Sequence, residues 1–283
     1  MKLIECPRDA MQGLHQFIPT DLKVAYLNLL LQVGFDTLDF GSFVSPKAIP
    51  QMSDTSEVLE QLDLSSTATK LLAIVANLRG AEQACRFEQI SYLGFPLSVS
   101  ETFQQRNTNK SVAEAMIEVR QIVELCHRHQ KQLVVYLSMG FGNPYGDPYH
   151  PGIVQELTEK LIAYGIRIIA PSDTVGSATP ETIQSLFASL IPTFPQAEFG
   201  AHLHSTPHTV IEKLDAAYRA GCRRFDGALK GFGGCPMASD ALTGNLPTEQ
   251  IIAFIEEKGV ALKLDKNKLE EAFLLADQVF ANG

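Results

Sequence analysis

The sequence predicts a (β/α)8 TIM barrel, a parallel eight-stranded sheet closed on itself and ringed by helices. Three observations lead there. Eight short, β-rich apolar runs recur along the chain with helical patterns between them. Several are apolar on both faces, such as Leu71-Leu72-Ala73-Ile74-Val75 and Ile166-Arg167-Ile168-Ile169, as expected of parallel strands buried by helices. No low-complexity linker divides the 283 residues, a length such barrels commonly reach as one unit. Eight units in an unbroken chain favour a closed barrel over an open sheet, so residues 1–283 are expected to form a single catalytic domain.

The elements follow in order. The first strand is Lys2 to Cys6. Thr20 is expected to cap the first helix, Thr20 to Gln32, with Asp21 favourably placed in its first turn. Val33-Gly34-Phe35 turns this helix into the second strand, Thr37 to Phe40, and two further strands follow at Lys70 to Ala76 and Gln89 to Gly94. The helix Ser111 to His129 leads to the fifth strand, Gln132 to Leu137, and the helix Pro151 to Tyr164 to the sixth, Arg167 to Pro171. Thr179-Pro180-Glu181 combines a cap, a first-turn proline and a first-turn acid at the head of the helix Pro180 to Leu190. The seventh strand is Glu198 to Leu203, followed by a helix from Pro207 to Ala220; the eighth is Arg224 to Ala228, followed by a helix from Leu246 to Lys258. Gly34, Gly165, Gly221 and Gly259 stand where helices end and a left-handed residue is tolerated. Residues 264–281 read as a final amphipathic helix that packs through Leu269, Phe273, Leu274 and Val279.

Composition narrows the function. A net charge of −9 argues against a general nucleic-acid partner, because phosphate neutralisation needs a basic surface. No window approaches the roughly 18 unbroken apolar residues of a membrane span, and the N-terminus meets charge too soon for a signal peptide. Five cysteines without CxxC spacing suit free thiols in a reducing compartment. The expectation is a soluble cytoplasmic protein with a small-molecule substrate.

In a TIM barrel, chemistry sits at the C-terminal ends of the strands, and the polar residues there form a set. The first strand ends in Glu5-Cys6-Pro7-Arg8-Asp9, the second in Asp39 with Ser42 beyond it, and the sixth in Ser172-Asp173-Thr174. The seventh carries His202 and His204, which face the same way because alternate strand residues do. A glycine-rich loop, Gly231 to Pro236, follows the eighth strand and leads to Gly244-Asn245. The bland reading of the histidines is two imidazoles bonded to carbonyls or water. With Asp9, however, they supply a carboxylate and two imidazoles, a common first shell for a catalytic divalent ion. An amide oxygen from Asn245 would suit a hard ion such as Mg²⁺ or Mn²⁺. Arg8 offers a rigid fork of donors for an oxyanion. Cys235, in a loop suited to a lid, offers an acid or base beside such a substrate, against the alternative of a buried structural thiol.

These residues resemble the 3-hydroxy-3-methylglutaryl-CoA lyase family, one of the metal-dependent lyases and Claisen-type synthases that open on an Arg-Asp motif. The resemblance rests on Pro7-Arg8-Asp9-Ala10-Met11-Gln12, Ser42-Phe43-Val44-Ser45-Pro46-Lys47, Pro50-Gln51-Met52 and Asp173-Thr174-Val175-Gly176. His202-Leu203-His204, Gly233-Gly234-Cys235-Pro236 and Gly244-Asn245 extend it, in the family's order, across about residues 3 to 260. It implies cleavage of the methylglutaryl thioester to acetyl-CoA and acetoacetate, by a homodimer using Mg²⁺ or Mn²⁺. By position, Asp9, His202, His204 and Asn245 match its metal ligands, Arg8 the enolate-stabilising arginine and Cys235 the catalytic loop cysteine. Arg8, Asp39, Asp173 and Thr174 are expected around the substrate, with Glu5, Gln12, Ser42 and Glu249 in support. The departures are Asp39 where the family has a longer glutamate, His15 for a lysine, Ser205-Thr206 for Asp-Thr, Pro207-His208 for Tyr-Gly, and one extra residue between Cys235 and Asn245. They bear on the shape around the acyl group. The alternatives are a lyase for another 3-hydroxyacyl-CoA, a condensing synthase, whose usual C-terminal extension does not follow Gly283, and a catalytically silent binding barrel.

Overall fold

The computed structural model describes residues 1–234 and 243–281. Among them, eight parallel strands close into a barrel: β1 (Lys2–Glu5), β2 (Thr37–Ser42), β3 (Lys70–Ile74), β4 (Ile90–Ser98), β5 (Gln132–Ser138), β6 (Ile168–Asp173), β7 (Glu198–Ser205) and β8 (Arg224–Gly227). Neighbours in sequence are neighbours in the sheet, and β1 pairs with β8 to close it, Leu3 against Phe225 and Glu5 against Gly227. A short strand β9 (Gly244–Asn245) adds antiparallel to β7 at the mouth, pairing Asn245 with His204.

Helices fill the crossovers: α1 (Pro7–Gln12), α2 (Thr20–Val33), α3 (Thr55–Glu60), α4 (Leu78–Cys85), α5 (Glu101–Thr108), α6 (Val112–Arg128), α7 (Pro151–Ala163), α8 (Pro180–Thr193), α9 (Val210–Arg219), α10 (Thr248–Glu257) and α11 (Lys266–Val279). The α6 start is a capping box in which Ser111 and Glu114 satisfy each other's backbone N–H, and Thr179 and Thr182 do the same for α8. Strand alternation sorts the core. Leu72, Ile74, Val134, Tyr136, Ile168 and Ala170 fill the barrel interior, while Leu203, Phe225 and their outward-facing equivalents join the layer beneath the helices.

Several expectations need correction. Thr20 does not cap α2: Pro19 holds the cap position without a side-chain bond, and the Thr20 hydroxyl donates to Asp54 at 2.8 Å. The helix expected from Pro207 begins at Val210, because Thr206 and Thr209 close a turn of their own through the Thr209 hydroxyl. Leu274 is exposed and is not one of the packing positions of α11. The strand expected to stop at Gly94 runs on to Ser98. Pro96 lies beyond the last β4 residue paired to β3, Gly94 opposite Ile74, so its missing N–H costs no bond on that side. The helices α4 and α5 are short, and α5 buries only Phe103 and Gln104, too little apolar periodicity to fix its bounds from sequence.

Candidate active site

At the C-terminal mouth of the barrel, α1 starts directly on the end of β1. Proline at its first turn costs no bond, and the tight start swings Arg8 and Asp9 back over the barrel. Arg8 is buried and heavily engaged. Nε lies 3.1 and 3.0 Å from the two oxygens of Asp39, and Nη2 donates to Asp39 Oδ2 at 2.5 Å. Nη1 donates to Asp9 Oδ1 at 3.0 Å and to Gln12 Oε1 at 2.8 Å. A guanidinium has five N–H donors, so one, on Nη2, is without a partner among the described residues. Asp39 reaches Arg8 at a bulge in the β2–β3 pairing, a device that re-aims side chains near sites.

Asp9 is bound from several sides. Gln12 Nε2 donates to its Oδ1 at 3.0 Å and Asn245 Nδ2 to its Oδ2 at 2.9 Å. Burial works to raise its pKa, but Arg8, His202, His204 and the Asn245 amide together hold it down to about 2. Burial pushes Asp39 up to about 6 against the pull of Arg8. In the other direction, burial and the neighbouring His202 lower the pKa of His204. Burial also pulls His202 down, but the bond and charge of Asp226 outweigh it, and its pKa rises.

The two histidines have their Nδ1 atoms occupied. His202 Nδ1 lies 3.2 Å from Asp226 Oδ2 and His204 Nδ1 lies 3.1 Å from the Thr174 carbonyl oxygen. With Nδ1–H donating in each, the Nε2 lone pairs are the atoms left to bind a ligand. His204 Nε2 is buried and has no hydrogen-bond partner among the described residues. The ligand atoms of Asp9, His202 and His204 lie within 4.8 Å of one another. A buried imidazole nitrogen left bare beside an ionised carboxylate is costly in an apolar interior, and a divalent cation removes that cost. The donor set therefore fits a metal ion. Asn245 fits with one qualification: its Nδ2 faces Asp9 and the Phe232 carbonyl, so a ligating Oδ1 requires the amide to turn over. A second group, Cys6, His202 and Asp226, is equally compact. Burial drives the Cys6 thiol well above its ordinary pKa, and a neutral thiol is a poor ligand for a hard ion.

The cavity these residues face has a volume of about 400 Å³. Arg8, Asp9, Gln12, Thr174, His202 and His204 are among its polar lining residues, and Val44, Ile49, Ile74 and Phe103 among its apolar ones. Other expected residues lie behind this surface. Asp173 takes Lys213 Nζ at 2.7 Å and the Ala178 N–H at 3.0 Å, which leaves its carboxylate committed to the end of β6. Glu5 accepts from Leu229 N at 2.9 Å and from the Thr248 hydroxyl at 2.5 Å, and Glu249 accepts from Lys230 N at 3.0 Å. The Ser42 hydroxyl accepts from Val44 N at 3.2 Å. Gly233 lies tight against the site: a Cβ there would lie 2.7 Å from Ala10 Cα and 2.8 Å from Asn245 Nδ2, and its φ of +88° favours glycine besides. Cys235 itself lies outside the described residues.

Sequence reasoning overlooked Asp226, Lys213 and Tyr136. Asp226 sits inside the eighth strand, where a lone acid in a buried parallel strand was the available signal. Lys213 holds Asp173 and the His204 carbonyl oxygen together, 2.7 Å from each, and a lysine on an amphipathic helix gives no sign of that. Tyr136 stands edge-on to His202.

Known proteins share both the sequence and the shape. A family model described as HMGL-like matches residues 3–275. The hydroxymethylglutaryl-CoA lyase of Bacillus subtilis (strain 168) is 32% identical over 94% of this chain and 88% of its own length. The cytoplasmic 3-hydroxy-3-methylglutaryl-CoA lyase of Rattus norvegicus is 30% identical over 96% of this chain and 79% of its own. The crystal structure of the HMG-CoA lyase from Brucella melitensis superposes with a TM-score of 0.91 at 28% identity, covering 98% of each chain. An Acinetobacter baumannii HMG-CoA lyase solved with coenzyme A and 3-methylmalate gives 0.91 at 30% identity, covering 100% of this chain and 92% of its own. A barrel with Arg8 and Asp9 on its first βα turn and paired histidines on its seventh strand, matched by this model over nearly its whole length, belongs to the HMGL-like family.

Proposed function

We propose that this enzyme is a hydroxymethylglutaryl-CoA lyase that cleaves 3-hydroxy-3-methylglutaryl-CoA to acetyl-CoA and acetoacetate. The observation that carries the reading is the meeting of Arg8, Asp9, His202 and His204 on one cavity, with ligand atoms of the last three within 4.8 Å of one another and His204 Nε2 bare among the described residues. Asp9, His202, His204 and, with its amide turned, Asn245 would hold a divalent ion, Mg²⁺ or Mn²⁺. When bound, such an ion supplies the Lewis acidity that lowers the pKa of the substrate's tertiary hydroxyl.

The protein's own groups do the rest. Loss of the hydroxyl proton turns the C–O bond into the ketone of acetoacetate, breaks the neighbouring C–C bond and leaves its electron pair on the thioester as an enolate. Arg8, held rigid by Asp39, Asp9 and Gln12, turns its free Nη2 donor to the enolate oxygen. Preorganised donors of this kind act strongly where water is excluded. Cys235 is assigned, on the resemblance, to the proton transfers that end with a proton on the enolate carbon and release acetyl-CoA. The apolar lining of Val44, Ile49, Ile74 and Phe103 keeps water from the carbanionic centre. The net charge of −9 accords with a small-molecule substrate in place of nucleic acid. No helix among the described residues is long and apolar enough to cross a membrane. The cytoplasmic location and the homodimer rest on the resemblance.

A second reading, cleavage of another 3-hydroxyacyl-CoA by the same chemistry, is raised by Asp39, a shorter acid than the family's glutamate at the residue that holds Arg8. A panel of 3-hydroxyacyl-CoAs, offered with Mg²⁺ and followed by acetyl-CoA release, separates the two. The methylglutaryl thioester is expected to be the best substrate; no cleavage of it beside brisk cleavage of another would overturn the first reading.

A further inference from the structure

His202 is the site ring whose far side meets a carboxylate, and that carboxylate belongs to a buried ionic column the reaction does not use. Alternation on β8 turns Arg224 and Asp226 into the barrel. Arg224 passes over Gly200 of β7, where a Cβ would lie 3.0 Å from Arg224 Cδ. Its Nη1 donates to Glu198 at 3.1 Å near the barrel's lower end. Its Nε and Nη2 are buried without partners among the described residues, as is Asp226 Oδ1. Asp226, two residues along β8 and so on the same face as Arg224, puts its Oδ2 3.2 Å from His202 Nδ1.

We propose that Asp226 is a positioning residue: it fixes His202 with the proton on Nδ1 and the Nε2 lone pair toward Asp9 and His204. The proposal rests on the reading of Asp9, His202 and His204 as an ion site. A carboxylate only accepts, so the ring must donate Nδ1–H to it. Carboxylates behind ligating histidines generally set the tautomer in this way and raise ligand basicity. The Arg224 donors give a definite consequence. In Asp226→Asn the amide oxygen would turn toward the donor-rich guanidinium and the NH2 toward His202. Two donors cannot face each other, so the ring proton would move to Nε2 and occupy the ligating position.

The test is the His202 tautomer by ¹⁵N-edited NMR, measured on chelator-treated protein above the imidazole titration range, with the signal assigned by its loss in His202→Gln. The wild type is expected to carry Nδ1–H and Asp226→Asn to carry Nε2–H. The variant is also expected to bind Mn²⁺ roughly 10- to 100-fold more weakly, with its circular dichroism unchanged. Nε2–H in the wild type overturns the proposal whether or not the variant folds. So does a variant with wild-type tautomer and Mn²⁺ affinity, or a thiolate-to-cobalt charge-transfer band that Cys6→Ser abolishes, which would seat the ion on Cys6, His202 and Asp226. A wild type with the expected tautomer that binds no Mn²⁺ supports the positioning and sinks the ion-site reading instead.

Discussion

Arg8 ties the candidate site together, because three of its partners have separate duties. Asp39 holds its Nε and Nη2 edge, Asp9 is a proposed ion ligand, and Gln12 bridges Arg8 and Asp9. A lysine keeps the charge but is a point donor that cannot span these partners. Arg8→Lys is therefore expected to lower kcat on the order of 100-fold or more, and also to lower the melting temperature, because buried carboxylate contacts lose their donors. Wild-type turnover from the variant, measured by acetyl-CoA release, would remove Arg8 from the chemistry. At this scale the strand-end residues were legible: Arg8, Asp9, His202 and His204 all face the cavity. Asp173 and Asp39 were legible as polar residues near the site but not as carboxylates committed to Lys213 and Arg8, since nothing in the sequence says which cation will reach them. Asp226 was not legible because it lies within β8, among residues that the barrel buries, and not at a strand end.

Among the elements, two buried links fix where β7 and β1 end. Lys213 on α9 grips the Asp173 carboxylate, the Gly176 carbonyl oxygen and the His204 carbonyl oxygen, so the ends of β6 and β7 move as one. Glu5 ties the end of β1 to Leu229 beyond β8 and to Thr248 at the head of α10. Burial raises Glu5 from 4.5 to about 8, with the Thr248 and Leu229 bonds opposing and Glu249 adding to the rise. An acid whose pKa rises on folding stabilises the protein fully below its unfolded value and loses that contribution as pH climbs through the folded one. The Glu5 contribution is thus expected to fall between pH 4.5 and about 8. Glu5→Gln, neutral throughout, should flatten that part of the melting temperature against pH curve; an unchanged slope would show that Glu5 does not titrate there. The long elements were legible from caps and apolar runs, as Thr179 and the four helix-ending glycines illustrate. The short α5 was not, because it is held by the Ser100 cap on Phe103 N more than by an apolar stripe.

For the whole molecule, barrel closure is what turns a sequence pattern into a site. Pairing of β1 with β8 and of β7 with β9 brings Asp9 within hydrogen-bond reach of Asn245, 236 positions away. The closed barrel follows from strands apolar on both faces, which an open sheet would have to cover at its edges as well. Its interior polar column was not foreseeable, since an inward-facing arginine such as Arg224 depends on the space left by Gly200 on the neighbouring strand. The most direct measurement is acetyl-CoA release from 3-hydroxy-3-methylglutaryl-CoA by the intact protein, before and after chelation and again after Mg²⁺ or Mn²⁺ is returned. Turnover is expected to vanish with the chelator and to return with either ion. Undiminished turnover in chelator would contradict the assignment of Asp9, His202 and His204 as an ion site.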